Sequence, residues 1–112
     1  MRGTKYKNRK QTTAYGVVDS KREARRLIKL KELEKLGEIS DLKTQVSFEL
    51  IPSQRGEDGK VVERACTYRA DFVYFDSKGN MHVEDTKGFR TPDYIIKRKL
   101  MLKVHGIRIE EI

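Results

Sequence analysis

The sequence predicts an α/β fold in which a mixed sheet is flanked by helices. Three observations carry this expectation. Two stretches, "DSKREARRLIKLKELEKLGEI" and "TPDYIIKRKLMLKVHG", space their apolar residues as helices do. Between them lie three runs with the alternating or continuous apolar content of strands. A last short run, "IRIEEI", alternates again, so the order is α-β-β-β-α-β. Two helices packed on such a sheet bury one core on both of its faces.

Each element has its local reason. The first helix has Ser20 at its N-cap and Glu23 three residues on, the spacing of a capping box, and Gly37 as its stop. At 100° per residue Glu23 falls between Leu27 and Leu30, inside the apolar arc. It is either the capping acid or a carboxylate aimed at a shared site. "TQVSFELIP" alternates Val46, Phe48 and Leu50, and the polar "SQRGEDGK" reads as a hairpin loop. "VVERACTYRADFVYF" reads as one long strand. Tyr68, Ala70, Phe72 and Tyr74 share one face; Arg69, Asp71, Val73 and Phe75 share the other. Both faces are largely apolar beyond residue 69, the mark of a central strand. "DSKGN" turns the chain and residues 81–87 return. The second helix opens with Thr91 as N-cap and Pro92 at the first position and closes at Gly106. Its Tyr94, Ile95, Leu100, Met101 and Val104 read as core.

Composition narrows the function. The 112 residues suit a single small domain, and 25 Lys and Arg against 17 Asp and Glu give a net charge of +8. With a pI near 9.7, a polyanionic partner is expected, nucleic acid before an anionic membrane surface. The lone Cys66 excludes an intramolecular disulfide and a cysteine-cluster zinc site, and His82 and His105 lie too far apart for a His-rich one. No run approaches the roughly 18 apolar residues of a membrane span. The opening "MRGTKYKNRK" lacks the apolar segment of a secretory signal, so a reducing cytoplasm is the expected location. Residues 1–14 carry Lys5, Lys7, Arg9 and Lys10 without an acid and read as a flexible basic arm for phosphates; residues 15–112 read as the single domain.

"NMHVEDTKGF" departs from strand logic. Met81 and Val83 alternate as core residues, and the same face then continues with Asp85 and Lys87. Asp71 lies on the strand across the turn, and neighbouring strands run about 4.8 Å apart. Two half-buried carboxylates repel unless something sits between them, and an oxygen-seeking divalent cation relieves that repulsion. Lys87 could orient a water or stabilise a charged transition state. The plainer alternative is an ordinary ion pair at a sheet end. Alternation turns Glu84 away from this group; a bulge would exchange it with Asp85.

The constellation of Glu23 on the first helix, Asp71 on a central strand and Asp85-Thr86-Lys87 on the next resembles the PD-(D/E)XK nuclease superfamily. Ala70 stands where the name-giving proline would be, as in many members. "KYKNRK", "DSKREA", "GEISDLKTQVSFELIP", "YRADFVY", "EDTKGFRT" and "KRKLM" together look like a phage-borne family of small proteins assigned to that superfamily. Archaeal-type Holliday junction resolvases and transposon end-cleaving nucleases have similar cores. The resemblance implies a restriction-endonuclease-like αβββαβ core and a metal-dependent endonuclease, foremost a phage Holliday junction resolvase working as a homodimer in the host cytoplasm. It implies Mg²⁺ or Mn²⁺ held by Asp71, Asp85 and the Thr86 carbonyl, with Glu23 completing or supporting the site. Lys87 would position the attacking water, and Gln45 would sit close by. Arg90, Lys97, Arg98, Lys99 and Lys103 would form a phosphate track along the second helix. A nickase, a flap- or end-cleaving nuclease, and a non-catalytic basic DNA-binding module are the rival readings.

Overall fold

The structure, a computed structural model, describes residues 21–87 and 89–112 together with two strand segments near the start. Those segments, β1 (Gln11–Thr13) and β2 (Gly16–Val18), pair antiparallel. The sequence reading places residues 11–13 in the basic arm; they are paired backbone instead. Lys5, Lys7, Arg9 and Lys10, and the expected cap Ser20, lie outside the described residues.

Helix α1 (Lys21–Lys35) buries Ala24, Leu27 and Leu30 along one stripe, with Glu23 in the same stripe. It ends at Gly37, whose φ of 78° only glycine adopts without cost. A mixed four-stranded sheet follows, with β3 (Ile39–Ile51), β6 (Cys66–Asp76) and β7 (Met81–Asp85) antiparallel and β8 (Glu110–Glu111) parallel to β7. A parallel neighbour needs a crossover, and α2 (Pro92–Leu100) supplies it. Thr91 caps α2 by accepting a hydrogen bond from Tyr94 N, with Pro92 at the first position, as expected. The fold is therefore α/β, with a helix on each side of a mixed sheet. Leu27 and Leu30 of α1 pack with Ile39, Phe72 and Tyr74; Tyr94 and the following Met101 pack with Leu50, Val73 and Val83. Adjacent residues Phe72 and Val73 thus feed opposite cores, as a central strand must.

Three local expectations change. The long strand expected from residue 61 is broken: β5 (Val61–Glu63) leaves the sheet and pairs with β4 (Gln54–Arg55), making a small ribbon of the predicted loop. Pro52, which has no N–H to give a ladder, follows β3, and the register slips where Ile51 meets Cys66.

Second, β6 does not keep Tyr68, Ala70, Phe72 and Tyr74 on one face. Tyr68 and Ala70 pack on the α2 side, whereas Phe72 and Tyr74 pack against α1. The side chains change sides at Asp71, opposite Gln45, where the ladder skips a pair. Gln45 has φ 54°, a left-handed conformation that costs a non-glycine residue roughly 1–2 kcal/mol.

Third, the second helix does not run evenly to Gly106. Met101–His105 form a π-helical turn, closed by Gly106 at φ 69°. A π turn holds an extra residue, so the residues after it are rotated out of register. Met101 stays fully buried, but Val104, expected in the core, is 49% exposed.

Candidate active site

The β6–β7 ladder pairs Phe72 with Glu84, so one further step brings Asp71 beside Asp85 at the sheet end. Asp71 Oδ2 accepts hydrogen bonds from the Thr86 backbone N (2.8 Å) and Thr86 Oγ1 (2.7 Å). Its Oδ1 lies 3.4 Å from Gln45 Nε2, which also donates to Glu23 Oε2 at 3.0 Å. The strained backbone of Gln45 thus delivers an amide between a helix acid and a strand acid. Residues held in sparsely populated backbone conformations cluster at functional sites. Asp85 Oδ2 accepts from the Tyr68 hydroxyl at 2.7 Å and lies 3.4 Å from Lys87 Nζ. Lys87 Nζ sits 4.0 Å above the Tyr94 ring, and Arg22 Nη1 donates to the Lys87 carbonyl at 2.8 Å. Glu23, Gln45, Asp71, Asp85, Thr86 and Lys87, all named from the sequence, therefore meet.

Glu84 takes the other side. It is fully buried, and Arg26 donates to both of its oxygens, Nε at 2.7 Å and Nη2 at 2.6 Å. Tyr74 donates its hydroxyl to the same carboxylate. The hydrogen bond to Glu84 raises the pKa of Arg26 further above its already high value, against the effect of burial. Alternation holds through β7: Glu84 faces α1 and Asp85 faces the cleft.

Burial sets the character of Asp85. The residue is 4% exposed. Desolvation pushes its pKa up to about 6; the Tyr68 hydrogen bond opposes that, nearby Asp71 adds to it, and Lys87 opposes it. Burial and then the bond to Asp85 raise the Tyr68 hydroxyl well above its usual range. A carboxylate pair of this kind, one member displaced toward neutrality and a lysine beside it, marks a candidate functional site.

A cleft of about 310 Å³ opens over this group, lined by Asp71, Asp85 and Lys87 with Tyr68, Arg69 and Lys97. Of the expected phosphate track, Lys97 lines the cleft. Arg90 and Arg98 instead hold Glu111, at 2.5 Å and 3.1 Å. Lys99 and Lys103 are exposed elsewhere on the helix and the π turn.

The fit to a divalent cation rests on the donor set. Asp71 and Asp85 offer hard carboxylate oxygens whose mutual repulsion a cation would relieve, and Mg²⁺ is commonly held by one or two carboxylates with waters completing its shell. Among the described residues no group of three or more His, Cys, Asp or Glu side chains is placed to hold a metal. Glu23 meets the pair through the Gln45 amide.

Sequence reasoning missed Tyr68, Arg26, Tyr94 and Arg22. Tyr68 was hidden by the change of faces at Asp71. Tyr94 read as core, and it is buried, yet its ring also carries Lys87 and its hydroxyl donates to Glu111 at 2.7 Å.

Fold and cleft together define a small basic α/β protein with an acid pair, buried Asp85 beside half-buried Asp71, and a lysine at one end of a mixed sheet. Residues 3–110 match the family described as a protein of unknown function (DUF1064), and the chain belongs to that family. No curated protein and no solved structure matches it.

Proposed function

We propose that this chain is a metal-dependent DNA endonuclease of the PD-(D/E)XK type, acting on branched DNA and foremost on four-way junctions. The observation that carries the reading is the meeting of Asp71, Asp85 and Lys87 in one cleft, with Glu23 joined to them through Gln45. Asp71, Asp85 and the Thr86 carbonyl would hold Mg²⁺ or Mn²⁺, which when bound supplies charge neutralisation at the phosphoryl group.

The chain's own residues do the rest. Lys87 presents its ammonium beside Asp85, where it orients the attacking water and offsets charge building on the phosphate. Tyr68 fixes the Asp85 carboxylate, and the Gln45 amide fixes Asp71 against Glu23. Arg69 and Lys97 flank the cleft as phosphate contacts. Cutting two strands in step calls for two such sites, hence a homodimer. Among the described residues no helix is long and apolar enough to cross a membrane; a cytoplasmic location belongs to this same reading.

The test is cleavage of a labelled four-way junction, flap, fork, single strand and linear duplex in Mg²⁺, Mn²⁺ or EDTA, with Asp85→Asn and Lys87→Ala beside the parent. Paired symmetric cuts on the junction, lost in EDTA and in both variants, support the resolvase. Metal-dependent cuts that favour another substrate move the reading to a nickase or a flap- or end-cleaving nuclease. Intact binding with no cutting of any substrate leaves a DNA-binding module.

A further inference from the structure

The acid cleft is not the larger concavity. A second one, of about 380 Å³, lies between α2 with its π turn and the C-terminal strand, lined by Arg98, Lys99, Leu102, Arg108, Ile109 and Glu111. Its volume falls within the range of ligand sites. Three cations and one acid give its lining a net charge of +2.

The acid is spoken for. Glu111 Oε1 accepts from Arg90 Nε (2.8 Å) and Nη2 (2.5 Å), and Oε2 accepts from the Tyr94 hydroxyl (2.7 Å) and Arg98 Nη1 (3.1 Å). Arg90 first, then Tyr94 and Arg98, hold its pKa down to about 2, so it stays ionised and matched. Lys99, on α2, and Arg108, two residues before β8, have no hydrogen-bond or ion-pair partner among the described residues. Leu102, 51% exposed, and half-buried Ile109 give the pocket an apolar surface between them. Two uncommitted cations over an apolar floor suit a ligand with an anionic end and a compact apolar body.

We infer that this pocket is a sugar–phosphate subsite, in which Lys99 and Arg108 hold the phosphate while the deoxyribose packs on Leu102 and Ile109. Helix α2 contributes Arg98 to this pocket and Tyr94 to the acid cleft, and a helix with its side chains is about 10–12 Å across. The strand lying in the cleft would therefore be gripped a few nucleotides from the point of cutting. The subsite deepens the nuclease reading and depends on it only for the polymer being the strand that is cut. The same chemistry describes a free nucleotide, so the test has an arm for each source.

Binding is measured in the Asp85→Asn background with EDTA, so no cutting is needed. Affinity for a labelled single-stranded oligonucleotide is followed against salt with and without Lys99→Ala/Arg108→Ala. The charge-matched Lys60→Ala/Lys78→Ala pair is the control, and melting temperatures confirm folding. One phosphate contact on a single strand contributes about 0.7 to the slope of log K against log salt. The pocket pair should lower the slope by about that much and the control pair should not. In the second arm, a deoxynucleoside monophosphate and inorganic phosphate are titrated while the Leu102 and Ile109 methyl resonances are watched. A lowered slope identifies the polymer strand as occupant. Methyl shifts with the nucleotide, abolished by the pocket pair, identify a free nucleotide. Either result upholds the subsite, and an unchanged slope together with unmoved methyls overturns it. If the parent protein cuts nothing but the slope still falls, the nuclease reading fails and the subsite stands.

Discussion

Breaking the Arg26–Glu84 pair should cost far more than a surface ion pair, and mending the loss should need no charge. Arg26→Met removes both donors from a carboxylate whose side chain is 0% exposed, while the Arg26 side chain itself is 27% exposed. Losing one partner of a buried pair costs about 3–5 kcal/mol. Because a quarter of Arg26 already reaches water, the low end applies, ~3 kcal/mol. At roughly 4 °C per kcal/mol for a chain of this length, the melting temperature should fall by about 12 °C. Tyr74 still donates to Glu84 in the variant, which limits the loss rather than cancelling it. Adding Glu84→Leu to Arg26→Met removes the stranded charge and should restore most of the stability, since apolar replacements of buried pairs are often neutral or better. Thermal and urea unfolding of the parent, both single variants and the double variant complete the cycle. A drop under ~1 kcal/mol for Arg26→Met, or a double variant no more stable than the single one, refutes the assignment of Glu84 as a structural acid. Cleavage gives a second check: Glu84→Gln should keep it, whereas Asp85→Asn should abolish it.

The same geometry yields other expectations. Gln45→Gly relieves the φ of 54° and should melt about 4 °C above Gln45→Ala, while both lose the amide bridge and cut more slowly than the parent. Tyr94→Phe keeps the ring under Lys87 and should retain cleavage. Tyr94→Leu loses a cation–π contact of about 1 kcal/mol, roughly fivefold in rate, so equal rates for the two variants would remove the ring from the account. His82 sits between Asp76 (2.8 Å) and Glu110 (2.7 Å), and the bond to Asp76 above all raises its pKa from 6.5. Its stabilisation is complete below pH 6.5 and fades as pH rises through the raised value. The melting temperature of the parent should therefore decline across that window, and that of His82→Gln should not.

Much of this was legible because it depends on short-range rules. Caps at Thr91 and Gly106, the stop at Gly37 and the alternation that aims Asp85 and not Glu84 at Lys87 all follow from neighbours in sequence. Glu23 stood out because a charged residue lay in an apolar arc, and it is indeed buried beside Gln45. What stayed hidden depends on contacts distant in the chain. The left-handed Gln45 has no local sequence signal, so the exchange of faces at Asp71, and with it the place of Tyr68, had no sign. Arg108 carried no signal in the sequence; it lines a pocket only because the π turn and the segment leading into β8 come together beside α2.

The π turn also bears on how chain length is spent here. It stores one residue more than a regular helical turn would between Met101 and Gly106, next to the point where His105 reaches back to the Glu49 carbonyl at 2.7 Å. Removing Val104 would let the segment wind as an ordinary α-helix. The residues after Val104 would then each move one position earlier, about 100° in a regular helix. His105 would swing away from β3, and the residues leading into β8 would start one step early, shifting the register that seats Glu111. A single codon at this point therefore acts as a spacer for the whole carboxy-terminal strand. Chains of this family that differ by one residue here should differ in the pocket beside α2 while keeping the acid cleft the same.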